Sequence, residues 1–172
     1  RFTDLAPIPH DAPPAPPLVA TPHLVYSNHP DWAELGGWYA RHVAPRVRAS
    51  RQVRSTAERL VAAIDDRRLR VEAIARFVTS EITYVGLELG EHRFRPFSAE
   101  WVLGHRIGDC KDTAALLVAL YESVGIPARM VLLRINEEGP FPARLAVLEA
   151  FKQFAIAGRG GGLSQPQTWR KW

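Results

Sequence analysis

Residues Gly108–Pro127 read GDCKDTAALLVALYESVGIP and hold the chain's one cysteine, Cys110. Asp109 fits a helix N-cap, because its carboxylate can accept from an amide of the first turn. Asp112, three residues on, can reach back as the second half of a capping box. Cys110 is then the first helical residue. Ala114, Leu117, Val118, Tyr121 and Val124 follow at intervals of three or four. They share one side of the helix, and Cys110 starts that buried face. Gly125 suits the C′ position and Pro127 blocks continuation. Ala128–Ile135, ARMVLLRI, is apolar and partly β-branched, and is expected as a buried strand.

A thiol at a helix N-terminus meets the positive end of the backbone dipoles, which favours thiolate. Asp109 and Asp112 pull the other way, because nearby negative charge disfavours a second anion. An imidazolium partner would complete the activation. The plainer reading is that a lone cysteine is a small buried hydrophobe. Asp109 and Asp112 could also be read as an acid–base pair, but capping explains their spacing better.

Upstream, residues 1–30 hold eight of the fourteen prolines, a density that blocks helix and central strand alike. This segment is expected to be a linker or arm from a preceding domain. The first residues carry no Met and no apolar signal core, so the chain is expected to be an internal piece of a longer one. PDWAELGGWYARHV, from Pro30, puts Trp32, Leu35, Trp38, Tyr39 and Val43 near helical spacing. Ser55 and Glu58 suggest a capping box opening a helix over 55–66, with Leu60, Ala63 and Ile64 on one face. Leu69–Ile82 is a stronger helix, with Val71, Ile74, Ala75, Val78 and Ile82 in phase. TYVGLEL reads as a short extended piece and EHRFRPFS as a polar loop. SAEWVLGH reads as a short helix capped by Ser98 and stopped by Gly104. Downstream, Leu145, Leu148, Phe151 and Phe154 suggest an amphipathic helix, and GRGGGLSQPQTWRKW a basic tail.

The composition is that of a globular chain: 47% hydrophobic and 23% charged over 172 residues. No apolar run is long enough to span a bilayer. One cysteine excludes an internal disulfide framework and a multi-cysteine zinc site. The net charge is +4, and Arg41–Arg76 alone holds ten arginines against four acids. Such a face could meet nucleic acid, yet no aromatic interleaving, zinc spacing or binding loop accompanies it, so a solvated helix surface is the favoured reading. No Gly-x-Gly-x-x-Gly, phosphate loop or paired-His metal spacing occurs, so no cofactor and no metal are expected.

Gly108-Asp109-Cys110-Lys111-Asp112, the apolar helix after it and Gly125-Ile126-Pro127-Ala128 together resemble the transglutaminase-like superfamily of papain-related folds. Tyr84-Val85-Gly86, Glu88-Leu89-Gly90, Arg95-Pro96, Ser98-Ala99 and Val102-Leu103 match the approach to the cysteine. The chain is most similar to bacterial members in which a β-sandwich precedes the domain. There, a segment like Val25-Tyr26-Ser27, Asp31-Trp32 and Trp38-Tyr39 joins the two. The resemblance covers about Val25–Ile135. It implies an α+β fold, a helical lobe packed on an antiparallel sheet, with the sheet incomplete here. The implied divisions are an arm over 1–30, a core over 31–135 and a divergent or truncated tail over 136–172. It also implies a thiol nucleophile at Cys110, peptide or protein amide substrates, and a periplasmic or other extracytoplasmic setting. Members form an acyl-enzyme from an amide and pass the acyl group to an amine or to water. The Cys110 N–H, at a helix start, would suit the oxyanion. Trp101 could line an acyl-binding groove, although a core role is the simpler reading.

The family's His and Asp follow the cysteine, on the two strands after one like Ala128–Ile135. This chain has no histidine after Cys110 and no aspartate after Asp112. Three explanations follow: a domain altered or cut short past Ile135, a pseudoenzyme that keeps the fold for binding, or an upstream histidine, His92 or His105, serving as base. The remaining histidines, His10, His23, His29 and His42, need no role. The expected function is therefore thiol-dependent acyl transfer or amide hydrolysis at family level, catalytically incomplete in this chain. The alternative is a non-catalytic protein-interaction module of the same fold.

Overall fold

The structure, a computed structural model, describes residues 24, 26–86, 89–134, 144–148, 151, 153–158 and 163–164. The proline-rich segment before Leu24, the tail past Ser164 and the end of the expected strand at Ile135 lie outside the described residues. The architecture is α+β. Among the described residues there are five helices; three of them pack around a fourth, and a three-stranded antiparallel sheet adjoins it.

Helix α1, Trp32–Val43, starts where the Asp31 side chain accepts from the Glu34 amide at 2.8 Å. It buries Leu35, Tyr39 and Val43, one turn apart. Helix α2, Arg51–Val61, begins four residues before the expected capping box. Ser50 is the cap, and Ser55 lies exposed within the helix. The pattern of Val53, Ala57 and Val61, each one turn from the last and each buried, overrides the local Ser–Glu signal. Ala63 and Ile64 fall past its end. Helix α3, Arg67–Glu81, is capped by Asp66 and buries Ile74 and Val78, with Ile82 buried just beyond.

Strand β1, Thr83–Tyr84, pairs in parallel with β2, Ile107–Gly108, a short strand the sequence did not suggest. Between them come a 3-10 turn at Gly90–Arg93 and helix α4, Ala99–His105, capped by Ser98 as expected. Gly104 does not stop α4. The helix runs to His105, and Arg106 takes the left-handed conformation at φ 59°. The Arg106 guanidinium lies over the Phe77 ring and 3.7 Å from Glu81, contacts that hold this residue in place.

Helix α5, Cys110–Ser123, is the hub. It packs against α2, α3, α4 and the sheet, and every residue from Cys110 to Tyr121 is buried. The single apolar face expected from the spacing is thus too narrow. This helix is enclosed all round, as a central helix must be. Gly125 follows at φ +74°, where a side chain would be strained.

Strands β3 (Ala128–Leu133), β4 (Gln153–Gly158) and β5 (Leu163–Ser164) form the antiparallel sheet in that order. Ala128 pairs with Gly158 and Leu133 with Gln153. Among the described residues, the amphipathic helix expected over Leu145–Phe154 does not extend to its last member. Phe154 lies in β4, and Ala146, Val147 and Leu148 are buried in the segment before it. Pairing along all six residues of β3 satisfies the β4 backbone in a way that three-residue apolar spacing could not reveal.

Candidate active site

The start of α5 is built from polar groups with almost no exposure to water. Asp109 and Asp112 are 0% exposed and Lys111 is 1% exposed. Asp109 is the N-cap, and its Oδ1 accepts from the Lys111 and Asp112 amides at 3.1 and 3.3 Å. Asp112 Oδ2 accepts in return from the Asp109 amide at 3.1 Å, completing the capping box. Its Oδ1 accepts from the Phe97 amide at 2.8 Å, so one carboxylate ties the loop before α4 to the helix start. The Lys111 ammonium turns back to Asp109 Oδ2 in a buried ion pair. The Thr113 hydroxyl bonds the carbonyls of Asp109 and Cys110.

Gly108 is dictated by this packing. A Cβ there would lie 2.8 Å from the Asp112 Cβ, closer than real side chains approach. The Asp112 carboxyl is pushed upward in pKa, first by burial and then by the Asp109 charge. Amide hydrogen bonds from Phe97 and Asp109 and the Lys111 charge work against that rise.

Cys110 is the first residue of α5 and is 4% exposed. Facing this end of the helix from α1 is Tyr39. Its hydroxyl donates to the Phe94 carbonyl at 2.9 Å. Burial, then electrostatic repulsion from the ionisable groups of Cys110, Asp109 and Asp112, pushes the phenol pKa upward, so Tyr39 stays neutral at ordinary pH. The spacing of α1 marked Tyr39 only as a packing residue. Its proximity to the cysteine is a long-range contact with no sequence signal. Tyr39 also lines a cavity of about 320 Å³ with Trp38, His42, Phe94 and Arg95.

Trp101 is half-buried within a run of four stacked rings. His92, Phe97, Trp101 and His105 follow one another with centroids 3.9, 4.0 and 4.1 Å apart and planes within 18°. The Nδ1 atoms of His92 and His105 meet the carbonyls of Arg95 and Trp101 at 3.4 and 2.9 Å. Both upstream histidines are thus members of one stack, and His105 is exposed whereas Cys110 is buried. Strands β4 and β5, the two that follow β3, span QFAIAG and LS, with neither His nor Asp among them. Among the described residues, no group of three His, Cys, Asp or Glu could hold a metal ion, and no helix is long and apolar enough to cross a membrane.

A buried helix headed by a cysteine, packed on an antiparallel sheet, defines a papain-related α+β domain. The family model for the transglutaminase-like superfamily matches residues 54–165, and the chain belongs to that superfamily. Two solved structures share the fold. One is a candidate protease from Parabacteroides distasonis, with a TM-score of 0.60 at 15% identity over 72% of this chain. The other is a candidate cysteine protease from Cytophaga hutchinsonii, with a TM-score of 0.51 at 19% identity, also over 72%. The similarity takes in 24% of the first protein and 41% of the second, so the chain spans well under half of either. No curated protein matches the chain in sequence.

Proposed function

We propose that Cys110 is the nucleophile of a thiol site for acyl transfer or amide hydrolysis, and that this chain carries the cysteine half of that site without its His–Asp half. The observation that supports the reading is the position of Cys110 as the first residue of a helix buried from Cys110 to Tyr121 in a transglutaminase-like domain. In the family's chemistry, the thiolate sulfur bonds to the carbonyl carbon of a peptide amide. The C–N bond breaks, the amine leaves with a proton, and a thioester remains. Water or a second amine then takes the acyl group and returns the thiol. A general base must carry protons in both steps. With no histidine on β4 and no aspartate on β5, turnover in this chain is slow or absent while the thiol keeps its reactivity.

The test is the pH dependence of Cys110 alkylation by iodoacetamide in the folded chain, run beside a peptide-amide hydrolysis assay. The expected result is a labelling rate that reaches its plateau below the ordinary thiol pKa of ~8.5, with no steady hydrolysis. Labelling only at alkaline pH, or only on unfolding, overturns the nucleophile. A second reading, a non-catalytic interaction module, is favoured by the 4% exposure of Cys110 and the absent base, and that outcome would leave it standing.

A further inference from the structure

Asp109 and Asp112 both crowd the thiol with negative charge, which by itself opposes a thiolate. Lys111 changes that balance. We propose that Lys111 is a positioning residue for the site: its buried ammonium offsets the Asp109 carboxylate and so leaves the helix dipole free to favour the Cys110 thiolate. The inference rests on Cys110 being the nucleophile.

Three observations carry it. First, Lys111 is 1% exposed, and lysine is almost never fully buried without a strong partner. Second, its partner is the N-cap itself. Capping alone does not need a charge, since serine, threonine or asparagine caps as well as aspartate. A charged cap with its own buried cation is a larger device than capping requires. Third, the groups facing this helix end add little opposing charge. Tyr39, from α1, is a neutral phenol. Phe97, from the loop before α4, presents an amide, which bonds Asp112. Asp112 turns its carboxyl oxygens to two amide donors, and burial, then the Asp109 charge, pushes its pKa upward and so lessens the negative charge it adds. With Asp109 and Lys111 cancelling, the first-turn amides remain the main field at Cys110. In so dry a place, one uncompensated charge has a large effect, because the medium screens it weakly.

The experiment is the same alkylation profile on the full chain with Lys111→Met, Asp109→Asn and the double variant, each checked for folding by circular dichroism. Lys111→Met removes the cation and should raise the alkylation midpoint by about one pH unit, a rate near pH 7 lower by about tenfold. Asp109→Asn leaves the cation alone and should move the midpoint down by a similar amount. The double variant should return to within about threefold of wild type. Should Lys111→Met fail to fold, the opposite-signed shift in Asp109→Asn still decides. If wild type shows a low midpoint and neither single variant moves it, Lys111 is a structural pair only and the inference is overturned alone. If wild type itself labels only at alkaline pH, the nucleophile reading falls and takes this inference with it.

Discussion

The start and the body of α5 are equally dry and are held in different ways. At its start, Asp109, Lys111 and Asp112 are sealed from water as fully as Leu116, Leu117 and Leu120 are in its body. The body is apolar, and burying each leucine contributes ~1.5–3 kcal/mol through area removed from water. The start contributes through matched partners. Each charge there costs desolvation, and the cost is met only while every partner is present. The body is therefore tolerant and graded, the start all-or-nothing. The site sits at the all-or-nothing end, where removing one group leaves another stranded.

Removing one partner at the start is expected to have the largest effect. Lys111→Met strands the Asp109 carboxylate and is expected to cost about 3–5 kcal/mol. Replacing both members, Asp109→Asn with Lys111→Met, should recover most of that loss. Urea titration of the three proteins reads it directly. If the single and double variants lose the same amount, the pair is not the unit that holds the helix start.

In the body, Leu117→Ala removes a side chain that is 0% exposed and should cost about 3 kcal/mol. No second substitution should rescue it in the way the paired change rescues Lys111→Met. A conservative Leu117→Met should cost under about 1.5 kcal/mol, because volume is kept. A Leu117→Met loss as large as that of Leu117→Ala would show that shape rules the body as strictly as pairing rules the start.

Gly108→Ala probes the approach to the helix start. The new Cβ would press on Asp112 at 2.8 Å, and the expected loss is about 1–3 kcal/mol. Asp112→Gly in the same chain should relieve that clash and forfeit the capping box, so the two changes should not add.

The same comparison explains what was legible in the sequence. Asp109 and Asp112 announced the capping box because it spans three residues and uses backbone amides, which every sequence supplies. The limits of α5 at Gly125 and Pro127 were equally local. Lys111 gave no warning, since a lysine two residues past a cap is ordinarily a solvated surface group, and only the crowd of α2, α3, α4 and the sheet around α5 turns it inward. Tyr39 and Cys110, far apart in sequence, share one core and influence each other electrostatically, beyond any local pattern. Strand β4 was misread because Leu145, Leu148, Phe151 and Phe154 fall three apart and mimic a helix face. The pairing with β3 that makes a strand is a property of two segments at once.

The smallest effect expected concerns Asp112 and pH. Its carboxyl is pushed above the ordinary range in the fold, chiefly by burial, so between the unfolded value of ~3.9 and the raised folded value the native state binds more proton than the unfolded chain. Stability then falls as pH rises through that window, the reverse of the usual carboxylate, with a slope of at most about 1.4 kcal/mol per pH unit for one group. Asp112→Asn keeps an acceptor for the Phe97 amide and removes the titration. Its stability should therefore lose less than wild type between the low and high ends of the window, although it starts lower because its amide nitrogen cannot accept from Asp109. Urea midpoints of both proteins measured from pH 3.5 upward read the difference. Parallel curves would mean that the Phe97 and Asp109 amides outweigh burial at Asp112.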